Sequence, residues 1–324
     1  MTAAPAPLPP PHSSAAADPA PSPALPAVIG PDPAAQAQRM RLYGIVLMCG
    51  AVACFACLDA TAKYLGRHID VIEVAWARYV SALVLAFLVF NPLTRPGMLR
   101  TRRPGLQIGR SALLLATTLL NFAALKYLQL DQALAILFST PLMVAALAGP
   151  MLGEWIGPRR WAAIAVGLVG VVIVLQPGFG SVHPAALLSM LSAVAASFYA
   201  IATRVLSRFD SDATTLFYSN LLGVLLLTPV MPFVWTTPED PVLIVVMMLF
   251  GGLGSLGHFL LIVAHRHTPA SILSPFSYSQ ILWTTTLGFL VFGDLPNRWT
   301  IAGVTIVIAS GLYLLHRERV RRGR

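Results

Sequence analysis

Residues 43–65 read YGIVLMCGAVACFACLDATAKYL, an apolar run whose charged side chains, Asp59 and Lys63, come late in it. A helix of about this length crosses ~30 Å of hydrocarbon at 1.5 Å per residue. The pattern repeats outward from this stretch. Apolar runs alternate with short polar breaks at 71–92, 107–128, 132–152, 161–176, 184–206, 213–235, 241–264, 271–292 and 299–316, which predicts ten spans. The breaks carry turn residues: Asn91-Pro92, Gly157-Pro158, Gln176-Pro177-Gly178, Thr237-Pro238 and Asn297.

Composition agrees. Of 324 residues 56% are hydrophobic and 11% charged, with a mean hydropathy of +0.73. A soluble domain carries about 25% charged residues, and a chain of this size cannot hide the shortfall in its core. A soluble enzyme, a nucleic-acid binder and a disordered chain are all poor readings, and an all-α polytopic membrane protein is the fitting one. Cys49, Cys54 and Cys57 fall in one apolar run and imply no disulfide scaffold. The Cys54-x-x-Cys57 spacing has no second pair to complete a metal site, and its small side chains suit helix packing. No metal and no cofactor is expected.

The net charge of +9 is a topology signal. With the N-terminus placed in the cytoplasm, Arg39, Arg41, Arg95, Arg100, Arg102, Arg103, Arg110, Arg159, Arg160, Arg204, Arg208, Arg266 and the arginines of the C-terminal tail fall inside. Only Lys63, Arg67, Lys126 and Arg298 fall outside, and Arg78 lies within a span. This bias puts both termini in the cytoplasm and requires an even number of spans. Residues 1–38 form a Pro/Ala-rich tract without the continuous apolar stretch of a signal peptide, and read as a disordered cytoplasmic tail. Residues 317–324 read as a basic cytoplasmic tail.

The two halves resemble each other. Asn121-Phe122 recurs as His258-Phe259 at an offset of 137, Gly153-Glu154 as Gly293-Asp294 at 140, Arg160-Trp161 as Arg298-Trp299 at 138, and Lys63 with Leu65 as Arg204 with Leu206 at 141. Each match is weak alone, but four in one order are not coincidence. Five spans per repeat is an odd number, so the second half enters the membrane from the opposite face. Two inverted five-helix repeats, at 42–177 and 184–316, are the plan of secondary transporters, with the substrate near the midplane.

Leu152-Gly153-Glu154 with Arg160-Trp161 and Gly167, the echo Phe292-Gly293-Asp294 with Arg298-Trp299 and Gly303, and Trp76-Ala77-Arg78-Tyr79 resemble EamA-type members of the drug/metabolite transporter superfamily. The stretch Pro275-Phe276-Ser277-Tyr278-Ser279-Gln280-Ile281-Leu282-Trp283 resembles a subgroup that includes riboflavin and S-adenosylmethionine uptake carriers. The resemblance covers about residues 42–316. It implies ten helices around a central cavity, alternating access, and a bacterial inner-membrane location. It leaves the cargo open, and both import and export.

Charged and polar groups inside spans are the candidate site, because each costs free energy in the membrane. Asp59 and Lys63, spaced i,i+4, share a helix face: a gate or proton-coupled pair, or a local salt bridge with Lys63 reaching the headgroups. Arg78 lies ~10 Å into the second span. It suits a carboxylate or phosphate, and equally a structural pairing with Glu73. Glu154 and Asp294 fall beside Arg159/Arg160 and Arg298 as helix-end charges. Asn121 and His258 occupy matching positions in the repeats; His258 offers a route to proton coupling, or a hydrogen bond to a neighbouring helix. In the ninth span Ser274, Ser277, Tyr278 and Ile281 form one stripe, on which Pro275 frees a carbonyl, and Ser277/Tyr278 is the expected substrate contact. Ser139-Thr140-Pro141 repeats the device in the fourth span. Phe138, Tyr199 and Trp283 are candidates to stack a flat ligand, or packing residues.

The reading is a carrier of a small molecule embedded in the lipid bilayer, with protons as the candidate coupling ion and no nucleic-acid partner. A monomer and a homodimer are both open. The competing class, an intramembrane enzyme acting on lipid-linked substrates, would need an acid/base pair or phosphate-binding cluster on one membrane face. Glu154 with Arg159/Arg160 and Asp294 with Arg298 instead fall on opposite faces. With no triad, HExxH or phosphate-binding Gly loop, no catalytic residue is assigned.

Overall fold

A computed structural model of the chain describes residues 33–90, 99–153, 157–175, 183–268 and 270–322. Glu154 and most of the first 38 residues lie outside this set, as does the side chain of Ser274. Everything described is helix or connecting turn. The helices are α1 (Pro33–Leu65), α2 (Val71–Phe90), α3 (Pro104–Leu125), α4 (Leu130–Leu137), α5 (Thr140–Leu152), α6 (Pro158–Leu175), α7 (Ala185–Leu206), α8 (Asp212–Leu227), α9 (Met231–Val234), α10 (Pro241–His267), α11 (Ala270–Ser277), α12 (Gln280–Phe292) and α13 (Arg298–Arg322). Among the described residues seven helical stretches are long and apolar enough to cross a membrane, and 161–174, 280–292 and 298–314 are shorter apolar ones. The protein is an all-α, polytopic membrane protein.

Local chemistry sets the helix ends. Asp70 Oδ1 accepts the Ile72 amide at 2.8 Å where α2 opens, and Ser211 Oγ accepts the Thr214 amide at 3.1 Å where α8 opens. Asp240 does the same for Val242 beside Pro241, and Asn297 for Thr300, both at 2.8 Å. Such side chains satisfy amides that have no carbonyl partner in the first turn. At the other ends, α5 and α12 stop at Gly153 (φ 73°) and Gly293 (φ 71°), a left-handed backbone that glycine reaches without a Cβ clash. The two terminal tracts differ from expectation. Residues 33–38, read with the tail, already belong to α1, and the C-terminal basic tract continues α13 to Arg322.

The fourth and ninth spans are not continuous helices. α4 hands over to α5 at Phe138-Ser139, and α11 to α12 at Tyr278-Ser279. In both, the serine amide reaches back only three residues, Ser139 to the Ile136 carbonyl at 3.0 Å and Ser279 to the Phe276 carbonyl at 3.1 Å. In both, the serine hydroxyl donates to the same carbonyl at 2.6 Å. Pro141 follows the first break but Pro275 precedes the second, so the proline is not the shared cause. The tightened turn centred on serine is. Around Thr228–Val230 the seventh span also tightens, into a 3-10 turn before α9.

Helix pairing follows a pattern. α1 lies along α10 and α7 along α3; α2 packs on α10 and α8 on α3; α2 meets α8, and α6 meets α13. Where α10 crosses α2, Gly251 donates its amide to Ser81 Oγ at 2.9 Å, and a Cβ there would overlap the α2 backbone at Arg78 and Ala82.

One end of the bundle, where α1 turns into α2 and α3 into α4, is closed by a continuous buried core. It includes Leu65, Ile69, Val74, Leu125, Leu130, Leu134, Leu243 and Phe250. Lys63 sits in this seal, 4% exposed. The paired reading of Lys63 with Asp59 needs correcting here. Lys63 Nζ donates to Asp294 Oδ2 and to the Leu128 carbonyl, at 2.8 and 2.9 Å, under the Phe292 ring. It therefore neither snorkels nor salt-bridges its i−4 neighbour, and it draws the ends of α1 and α12 and the α3–α4 turn together. Asp294, expected beside Arg298, is its counter-charge. At the opposite end Asp210 accepts from the Thr101 hydroxyl and, at 2.8 Å, from the Arg102 amide, which holds the α7–α8 turn to the segment before α3.

Candidate binding cavity

Between α2, α3, α7, α8 and α10 lies a cavity of about 390 Å³, within the range of small-molecule sites. Arg78, Arg110, Tyr199, Ser219, Asn220, Ser255 and His258 supply its polar wall, and Ala82, Ala200, Gly251 and Gly254 keep it open with small side chains. Arg110 is six residues into α3, ~9 Å from that helix start, and Thr203, Thr215 and Leu261 stand near their helix ends on the same side. The cavity thus extends from mid-bundle toward the Asp210 end, away from the Lys63 seal.

Arg110 is its best-held group, 5% exposed. Its Nε donates to Thr203 Oγ1 at 2.7 Å, one Nη to Ser219 Oγ at 2.7 Å and the Thr215 carbonyl at 3.4 Å, and the other to Tyr199 OH at 2.7 Å. Its guanidinium also lies 4.5 Å from the Tyr199 ring centroid. Arg110 stands among the cytoplasmic arginines in the sequence reading, although the span expected over 107–128 already includes it. The helix begins at Pro104, and Gln107, Arg110, Ser111, Thr118 and Asn121 are all buried along it. That polar stripe at helical spacing was the available signal.

Arg78 reaches the cavity from α2. It donates to Thr118 Oγ1 at 2.5 Å and to Tyr79 OH at 3.4 Å, and stacks 5.1 Å from the Tyr79 ring. Its charge acts on Asp59, whose carboxylate accepts from Asn121 Nδ2 at 3.1 Å. Glu73, the other expected partner of Arg78, is fully buried and instead accepts from the Thr236 amide and hydroxyl at 3.2 and 3.0 Å. His258 lines the same wall, its ring edge-on to Phe55 at 5.0 Å, within the fields of both Arg78 and Arg110.

The structure thus brings Arg78, Tyr199 and His258 together around the cavity and joins Asp59 to Asn121 within the field of Arg78. It does not bring Ser277 or Tyr278 there. Tyr278 is 7% exposed and packs T-shaped on Phe138 at 5.1 Å, with its hydroxyl against Gly311 of α13. The two ring residues expected to stack a ligand from the broken helices, Phe138 and Trp283, are likewise absent from the wall. Among the described residues no group of three His, Cys, Asp or Glu could hold a metal ion, and Cys49, Cys54 and Cys57 are free thiols.

A many-helix membrane bundle with a polar cavity between its helices is the architecture of an integral membrane protein that can hold a small solute within the bilayer. The chain belongs to the EamA-like transporter family, part of the drug/metabolite transporter superfamily, which matches residues 42–176 and 183–316. It is therefore a transporter of the inner membrane. It is 30% identical to an S-adenosylmethionine uptake transporter of Rickettsia bellii, over 81% of this chain and 89% of that one. It is 27% identical to a riboflavin transporter of Vibrio cholerae, over 86% and 94%. Its backbone also resembles a protein of known crystal structure, with a TM-score of 0.58 at 17% identity over 86% of this chain and 97% of that one, a likeness of fold alone.

Proposed function

We propose that the protein is a secondary carrier that moves a small metabolite by alternating access through the Arg78–Arg110 cavity. It would do so with ten spans in two inverted five-helix repeats, 42–177 and 184–316, and both termini in the cytoplasm. The observation that carries this reading is a polar cavity that extends from mid-bundle toward the Asp210 end, with a continuous buried core at the Lys63 end. In an inverted repeat, exchanging the conformations of the halves moves the seal to the other end. Three features support the symmetry. The packing pairs exchange when α1 is traded for α7 and α10 for α3. The serine-centred breaks at Ser139 and Ser279, and the glycine stops at Gly153 and Gly293, are each 140 residues apart. The arginine bias remains when Arg110 is removed from the loop tally, and it supports a cytoplasmic Asp210 end. The observed state is then inward-facing, with Lys63–Asp294 as the outer closure.

For the cargo, the relatives support uptake of an adenosyl- or flavin-type metabolite, and Tyr199 offers a ring at the cavity wall. For coupling, the titratable groups in place are Asp59, with Asn121 and Arg78 around it, and His258, with Phe55, Arg78 and Arg110 around it. The test is uptake of labelled S-adenosylmethionine, riboflavin and amino acids by the full chain in proteoliposomes, with and without an imposed pH gradient. Saturable uptake of one of them, lost on filling the cavity with Ala200→Trp, is the expected result. Uptake untouched by that substitution removes this cavity from the path. A rate indifferent to the gradient and to both Asp59→Asn and His258→Asn removes proton coupling.

A further inference from the structure

We infer that Arg110 and Tyr199 form an anion-binding subsite, so that the cargo carries a carboxylate or phosphate group which docks between them. The inference rests on the carrier reading for the word cargo, but its argument comes from the hydrogen-bond accounting at Arg110.

A guanidinium has five N–H donors and no acceptor. Four of those of Arg110 are occupied, by Thr203, Ser219, the Thr215 carbonyl and Tyr199. All four partners are neutral. The hydroxyls of Thr203 and Ser219 have spent their own protons on backbone carbonyls, those of Tyr199 and Thr215, each at 2.7 Å. Tyr199 has not: its hydroxyl oxygen accepts from Arg110, and its proton has no acceptor among the described residues. What remains is one Nη–H of Arg110 and the adjacent Tyr199 O–H. These two donors sit on atoms 2.7 Å apart in the cavity wall. Two neighbouring donors on a fixed cation match the two oxygens of a carboxylate or phosphate.

The charge balance points the same way. A buried cation without a counter-charge is expensive. Asp59 lies within the field of Arg78, but no acidic side chain is among the residues lining the cavity. The hydroxyls fix the orientation of Arg110 without neutralising it. An anionic group arriving with the cargo supplies the missing charge, and it meets donors already oriented, so little ordering is required at binding.

The test reads anion binding directly, without knowing the cargo. The melting temperature of the purified full chain in detergent is measured in sodium benzoate, sodium phosphate and sodium chloride at one ionic strength. Benzoate or phosphate is expected to raise it by about 2 °C over chloride. Arg110→Gln should abolish the difference, Arg110→Lys should retain part of it, and Tyr199→Phe should reduce it. Comparing salts within each variant cancels any loss of stability from the substitution itself. Equal melting temperatures in all salts for the unmodified chain overturn the inference, as does a benzoate shift that persists in Arg110→Gln. If phosphatidylglycerol, added in nanodiscs against a phosphatidylcholine control, cancels the benzoate shift, the site takes a lipid phosphate and the assignment to cargo falls. Anion stabilisation in a chain that moves nothing in proteoliposomes would break the carrier reading while leaving the subsite standing. Saturable uptake of a cargo without an anion effect would do the reverse.

Discussion

Arg78 and Arg110 enter one cavity from two helices, and their surroundings are opposites. Arg78 has an acid of the same protein within its field, Asp59, which Asn121 steadies; it donates to the Thr118 hydroxyl and rests against the rings of Tyr79 and Phe122. Arg110 is surrounded by hydroxyls, a carbonyl and one ring. The difference separates two uses of a buried cation. One has an acid of its own protein nearby; the other is oriented by neutral groups and left to be balanced from outside. Both are costly in a membrane interior, and hydroxyls hold both in place.

The largest expected effect falls on Arg78. Arg78→Gln takes the charged donor from the Thr118 and Tyr79 hydroxyls and the nearby positive charge from Asp59, and should lower stability by about 3 kcal/mol, the upper order for buried hydrogen bonds to a charged group. Asp59→Asn in the same chain should restore more than 1 kcal/mol of that loss, because the two charges are coupled. Denaturation of the single and double variants in detergent measures both. Additive losses would show that Asp59 and Arg78 are not a pair and would erase the contrast.

Arg110→Gln should invert this profile. Its effect on transport should be about 30-fold in the apparent affinity for an anionic cargo, the scale of a charge-assisted contact worth ~2 kcal/mol. Its benzoate-dependent stabilisation should vanish. Concentration dependence of uptake checks the first part. If Arg78→Gln and Arg110→Gln lowered affinity equally, the two arginines would be one clamp and not two devices.

Lys63 supplies a third case, a cation balanced across helices that would part if the outer end opened. Lys63→Met removes the tie to Asp294, which is 23% exposed and so keeps some solvation. The closed state should weaken by about 1 kcal/mol, a roughly fivefold rise in the open population. In a chain otherwise free of cysteine, a single cysteine at Ala124, fully buried in the seal, should then react with a membrane-impermeant maleimide about five times faster. An unchanged rate would show that Lys63 does not hold that end shut.

Much of the fold was legible in the sequence because lipid imposes period, length and charge bias on the chain. Gly153 and Gly293 read as matched breaks, and both proved to be left-handed helix stops. What failed to read was long-range partnering. Lys63 has Asp59 one turn away, yet pairs with Asp294, 231 residues on, because helix ends are brought together by packing that no local spacing encodes. Arg110 was lost for a different reason. At the edge of a span an arginine looks like a topology signal, and the helix start at Pro104 sets it deeper than the expected boundary. Tyr278 is a different case. A polar stripe on a broken helix looks like a ligand face, but this hydroxyl packs against Gly311.

The smallest effect tests the finest part of the contrast, the proton that Tyr199 has to spare. Tyr199→Phe keeps the ring against the Arg110 guanidinium and removes a hydroxyl that both accepts from Arg110 and donates into the cavity. Losing the acceptor frees a second Nη–H of Arg110, so an arriving carboxylate still finds two donors, but both now belong to one mobile end of the guanidinium. The exchange should cost about 1 kcal/mol, roughly fivefold in apparent affinity for an anionic cargo. A cargo analogue lacking its anionic group should bind the variant and the unmodified chain alike. A loss as large as that of Arg110→Gln would make the phenol the principal donor, and no loss would reduce Tyr199 to a prop. Only an intermediate loss, confined to the anionic cargo, fits a cation that the protein aims and the cargo neutralises.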